Sequence, residues 1–106
     1  MNDKLETFRS TVEAQTRARF IAEFDEHNAL TIHAPAWACK VKMGRKYANV
    51  DVGSSGKYMV ELTTDRIYGV KAYGVIHRGH YYGTLDTIQE WNWSDYSAVR
   101  RQLKAA

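Results

Sequence analysis

The apolar positions of this chain change their period near Pro35. Before it, Leu5, Phe8 and Val12 recur at helical spacing, and Phe20, Ile21 and Phe24 form a second stripe rotated away from the first. No Gly or Pro interrupts residues 3–27, so the pattern predicts a helix there. Asp3 is placed to cap it, with Glu6 in the capping-box position three residues on. The stripes part across Ala14–Arg19, which leaves either one long helix meeting two partners or two helices joined at that point. Residues 28–36 read as a linker punctuated by Pro35, because the residue before a proline is biased out of helix.

Beyond Pro35 the alternation is that of strands. Tyr47, Asn49 and Asp51 fall on one face and Ala48, Val50 and Val52 on the other. Gly53-Ser54-Ser55-Gly56 reads as a four-residue turn, Tyr58–Leu62 as the next strand, Thr63-Thr64-Asp65 as a turn and Ile67–Lys71 as a further strand. Trp37–Met43 supplies an additional strand. Gly74, Gly79 and Gly83 break the pattern, so residues 77–83 are expected to form an irregular Gly-hinged loop. Leu85–Trp91 predicts a turn of helix capped by Asp86, and Asp95–Lys104 a closing helix capped by Ser94. The fold class is α+β: an N-terminal helix packed on a small antiparallel meander sheet over about residues 37–76, with a short C-terminal helix. A length of 106 residues makes this one domain.

Charge divides the chain differently. Residues 1–28 carry a balance of −2 and residues 29–106 one of +5. Lys40, Lys42, Arg45 and Lys46 make a basic patch with no acid between Glu26 and Asp51. Such a patch either attracts phosphates and acidic protein faces or protects a strand edge. The single Cys39 gives neither a disulfide nor a metal framework, and no apolar run reaches the length of a membrane span. A cytoplasmic protein, without cofactor or membrane partner, is the expectation.

Aromatics are sorted as well. All three Phe residues precede residue 25, whereas the nine aromatics after residue 40 are all Tyr or Trp. Tyr68, Lys71, Tyr73, His77, Arg78, His80, Tyr81 and Tyr82 interleave rings with cations, the combination used both by single-strand nucleic-acid binders and by protein interfaces. His77-Arg78-Gly79-His80 is the one cluster with catalytic vocabulary, yet it matches no zinc spacing. Gly53-Ser54-Ser55-Gly56-Lys57 fails the phosphate-loop pattern, since only two residues separate the glycines and Tyr58 follows the lysine.

Gly56-Lys57-Tyr58-Met59-Val60, Ile67-Tyr68-Gly69-Val70-Lys71 with Tyr73-Gly74, and Tyr82-Gly83-Thr84-Leu85-Asp86-Thr87 followed by Trp91-Asn92-Trp93 resemble a segment of short, mostly uncharacterised bacteriophage and plasmid proteins. The resemblance covers about the second half of the chain. Where such sequences often carry Gly in the turn after the second strand, this one has Thr63-Thr64-Asp65-Arg66. The resemblance implies a mobile-element origin and no catalytic residues. With it comes the usual work of small phage proteins, binding and redirecting host machinery. The resulting expectation is a non-enzymatic protein that inhibits a host defence or nucleic-acid-processing complex, as an anti-CRISPR protein does, through contact with a host protein or ribonucleoprotein. Direct RNA or DNA binding is one alternative, and a small His-dependent nuclease or hydrolase another.

Overall fold

The helix α1, Asp3–Glu23, buries Leu5, Phe8 and Val12 completely, so the first apolar stripe is the one that meets the sheet. A computed structural model of the chain describes residues 3–94 and 98–100. α1 stops short of the expected residue 27 because Asp25 adopts extended backbone and caps a new helix. Its carboxylate accepts from Asn28 N at 2.8 Å and opens α2, Glu26–Leu30. Asp3 is itself helical rather than a cap, and Glu6 grips Arg9 at 2.7 Å instead of reaching back along the backbone.

The expected linker over residues 28–36 is mostly helical. After α2 comes α3, Ala34–Trp37, with Pro35 in its first turn, where a missing N–H costs nothing. Trp37 Nε1 donates to Ala29 O at 2.7 Å and ties the two short helices together. The second stripe of α1 turns toward this segment rather than the sheet. Phe24 stacks on His33 at 4.0 Å between centroids and remains 45% exposed. One helix thus meets two partners.

Five strands form a single antiparallel meander in chain order: β1 Cys39–Met43, β2 Tyr47–Val52, β3 Ser55–Glu61, β4 Arg66–Ala72 and β5 Val75–Thr84. Ala48, Val50, Tyr58, Val60, Ile67 and Tyr82 face α1 and close the core with Leu5, Phe8 and Val12. The turn between β2 and β3 is tighter than the expected four residues, since Ser55 already pairs with Val52. A register shift at Val50/Asp51 then places a bulge at Lys57, between the paired Gly56 and Tyr58. In the β3–β4 turn Asp65 takes a φ of 61°, a left-handed position that glycine fills most easily and Asp tolerates better than most residues.

The loop expected over residues 77–83 is instead part of β5, a ten-residue edge strand. Its glycines are absorbed by register shifts rather than by loss of pairing. Tyr81 pairs with Tyr68 and His77 with Gly69, so the three residues Arg78-Gly79-His80 bulge out between two paired positions. Gly83 takes a left-handed φ of 79° one residue before the strand ends at Thr84.

Past β5, a short 3₁₀ turn at Ile88–Glu90 replaces the helix expected over Leu85–Trp91, and Thr87 rather than Asp86 precedes it. Asp86 pairs with Lys4 at 3.0 Å. β6, Trp91–Asn92, pairs with β7, Val99–Arg100, so the closing helix does not run through Val99 and Arg100. Arg100 reaches Glu90 at 2.8 Å, which fixes that pairing from the side-chain end. The rest of the helix expected over Asp95–Lys104 lies outside the described residues. Between β6 and β7, Trp93 is fully buried, edge-on to Phe8 at 4.7 Å, with its indole N–H donating to Ile88 O at 3.0 Å.

Candidate functional site

Strand alternation sends the residues flanking the core set to the opposite face of the sheet, and no helix covers that face among the described residues. The cross-strand row Lys42, Asn49, Met59, Tyr68 and Tyr81 runs across all five strands. Beside it lie Tyr47 opposite Glu61, and Lys40 opposite Asp51. Met59 and Tyr68 are 4% and 6% exposed although they sit on the open face, and Arg78 lies over the Tyr68 ring. The Arg78 guanidinium stands 5.7 Å from the Tyr68 ring centroid and donates to Tyr47 Oη at 2.6 Å. Glu61 approaches the same guanidinium at 4.0 Å.

Around this centre the groups are more exposed. Tyr81 packs on Tyr68 at 5.5 Å and keeps 48% of its surface open. Tyr73 is 55% exposed and donates to Asp51 Oδ2 at 3.0 Å, and that bond to a carboxylate raises its phenol above the ordinary value. Arg66 is held above its ordinary value by a side-chain hydrogen bond with Tyr68 and by the pull of Tyr68 and Tyr81. The basic patch divides. Lys40 and Lys42 stand on this face, while Arg45 and Lys46 occupy the exposed turn between β1 and β2. β1 is also a sheet edge, so Lys40 and Lys42 lie where cations guard a strand edge.

The eight interleaved residues therefore do not form one surface. Tyr68, Tyr73, Arg78 and Tyr81 belong to the open face. Lys71, His77, His80 and Tyr82 line a cleft on the other side of the sheet, facing the C-terminal half of α1. Tyr82 is a core residue, 7% exposed, with its ring edge-on to Tyr58 at 5.8 Å, which corrects its expected place in a contact loop. His77 and His80 stack at 3.9 Å with 12° between their planes and are not hydrogen-bonded to a carboxylate among the described residues. Among the described residues no group of three metal-ligating side chains gathers. Cys39 is buried, and burial pushes its thiol up to about 12, which suppresses the nucleophilic thiolate.

Sequence reading missed Tyr47, Met59, Glu61 and Arg66. The first was legible, since Tyr47 alternates against Ala48 and Val50. Met59 and Glu61 required the register of β2 with β3, which the bulge at Lys57 shifts. Among the described residues no helix is long and apolar enough to cross a membrane. Comparison with protein-family models, with curated proteins and with solved structures finds no match.

Proposed function

We propose that the protein is a non-enzymatic binding protein whose open sheet face docks on a protein surface of a host nucleic-acid-processing or defence complex. The observation that carries this reading is the cluster of Tyr47, Tyr68 and Tyr81 around Arg78, on a face that no helix covers among the described residues. A packed centre of Tyr and Arg ringed by more exposed groups is the arrangement in which few side chains supply most binding energy. Lys40, Lys42 and Arg66 beside it favour an acidic partner surface. The resemblance of residues 57–96 to phage and plasmid proteins directs the search to bacterial host machinery, with anti-CRISPR activity as one form.

Direct single-strand binding is the second reading, favoured by the open rings of Tyr73 and Tyr81 beside lysines. It ranks lower because the Tyr68 ring is already covered by Arg78 and Tyr81, so it offers little free face for a base. Asp51, held by Tyr73, also sets a carboxylate where a phosphate backbone would run. The test is affinity capture from bacterial lysate with and without nuclease, followed by binding of the purified partner. A partner retained after nuclease and lost with Arg78→Ala plus Tyr81→Ala supports the protein reading. Capture that nuclease abolishes supports the second reading, and capture indifferent to the double variant overturns both.

A further inference from the structure

The cleft on the helix side of the sheet is a separate feature. α1 follows the sheet only as far as Thr16, 4% exposed, and its next turn, Arg19 and Phe20, stands away from the strands. The gap holds about 780 Å³, within the size range of small-molecule sites. Gly69 forms part of its floor. A Cβ there would lie 2.9 Å from His80 Cβ and 3.2 Å from Tyr82 Oη, so the absent side chain is what admits both residues.

The lining has two chemical halves. One is polar and basic: Lys71, the stacked imidazoles of His77 and His80, and two cations at the rim. Lys57 Nζ donates to Trp93 O at 2.9 Å and Arg19 to Ser94 O at 2.6 Å, which fixes both rim groups in place. Glu23 pairs with Arg19 at 3.0 Å but does not line the cleft, and no carboxylate is among the described residues that do. His77 Nδ1 is buried and has no hydrogen-bond partner among the described residues. The other half is apolar and aromatic, from Phe20, Val52, Tyr58 and Tyr82.

The two imidazoles stack 3.9 Å apart, so each brings a ring N–H donor to the same wall as Lys71. Cations on one wall and rings on the other suit a ligand with a phosphate at one end and a flat ring at the other. We infer that the cleft binds a nucleoside monophosphate, with the phosphate at Lys71, His77 and His80 and the base against Phe20. This site is independent of the open-face contact surface.

Isothermal titration of the full chain with AMP, adenosine and inorganic phosphate tests the assignment. AMP should bind saturably, and adenosine and phosphate each at least about tenfold more weakly, a difference of about 1.4 kcal/mol. His80→Gln and Lys71→Ala, both at exposed positions, should each weaken AMP binding by about tenfold while the thermal midpoint stays near that of the unaltered chain. In NMR titrations AMP should shift the His77 and His80 ring resonances and leave those of Tyr81 in place. Arg78→Ala should bind AMP as the unaltered chain does. No saturable AMP binding up to millimolar concentration, binding of phosphate alone as tight as AMP, or indifference to both variants would overturn the inference.

Discussion

The guanidinium of Arg78 covers the ring of Tyr68 from a bulge that separates two paired positions of the same strand. The bulge is what lets an edge-strand residue lie back across its neighbour. A strictly regular β5 would send Arg78 and Tyr81 to opposite faces, because they stand an odd number of residues apart. The irregularity thus gathers Tyr47, Tyr68, Arg78 and Tyr81 on one side.

Arg78 is exposed and its bonds to Tyr47 and Glu61 are weakly stabilising, but it covers the Tyr68 ring, so Arg78→Ala should lower stability by about 1–2 kcal/mol. Tyr81→Ala should be similarly mild. Against the host partner each should cost at least about 2 kcal/mol if they form the centre of the interface. Denaturant midpoints measured beside dissociation constants check both halves. A large loss of stability without a specific loss of binding would place these residues in the fold rather than in the contact.

Tyr82 belongs to the opposite category. Its ring meets Tyr58, Trp91 and Trp93 in the core, so Tyr82→Ala should destabilise by about 3–5 kcal/mol, the range of a truncated core aromatic. Chemical denaturation of purified Tyr82→Ala reads this directly. Unchanged stability would return Tyr82 to the contact surface.

The adjacent tyrosines Tyr81 and Tyr82 show where sequence reading reached and where it stopped. Composition marks both as contact candidates, and alternation says only that they face opposite ways. Deciding which is inside needs the register of β5 on β4, and that register shifts at three places. The first four strands of the meander were legible, because the turns after β2 and β3 are written in Gly, Ser, Thr or Asp between alternating runs, whereas β5 read as a loop. The end of α1 was less so. Asp25 is a helix-compatible residue in pattern, and only its extended backbone with its bond to Asn28 N makes it a cap. The cleft had no signal in the sequence, since it depends on how far α1 diverges from the sheet after Thr16.

The two phenylalanines that both read as core in the helix should now separate. Phe8 is fully buried against Tyr58 and Trp93, so Phe8→Ala should cost about 3–5 kcal/mol. Phe24 is stacked on His33 at the surface, and its truncation should cost well under that, about 1 kcal/mol. Thermal and urea unfolding of the pair check the ordering. Equal costs would mean that the second stripe is as buried as the first.

Cys39 offers a test that links burial to pH. Its thiol ionises near 9.0 when unperturbed and is pushed up to about 12 in the fold, chiefly by desolvation, with Arg9 opposing the shift. The folded state therefore keeps its proton where the unfolded chain loses it. Between those values unfolding releases a proton, so this group's contribution to stability is full below pH 9 and falls as pH rises from there toward 12. Cys39→Ser would add a buried hydroxyl and confuse the comparison, whereas Cys39→Ala removes the titration and leaves only a small loss of packing. Urea unfolding at pH 7.5 and pH 10 should show a larger loss for the unaltered chain than for Cys39→Ala. In the same pH 7.5 buffer a thiol reagent should label native Cys39 far more slowly than the urea-unfolded chain. Rapid labelling of the native protein, or identical pH responses of the two chains, would show that the thiol is open to solvent and that β1 does not seal the core at its first residue.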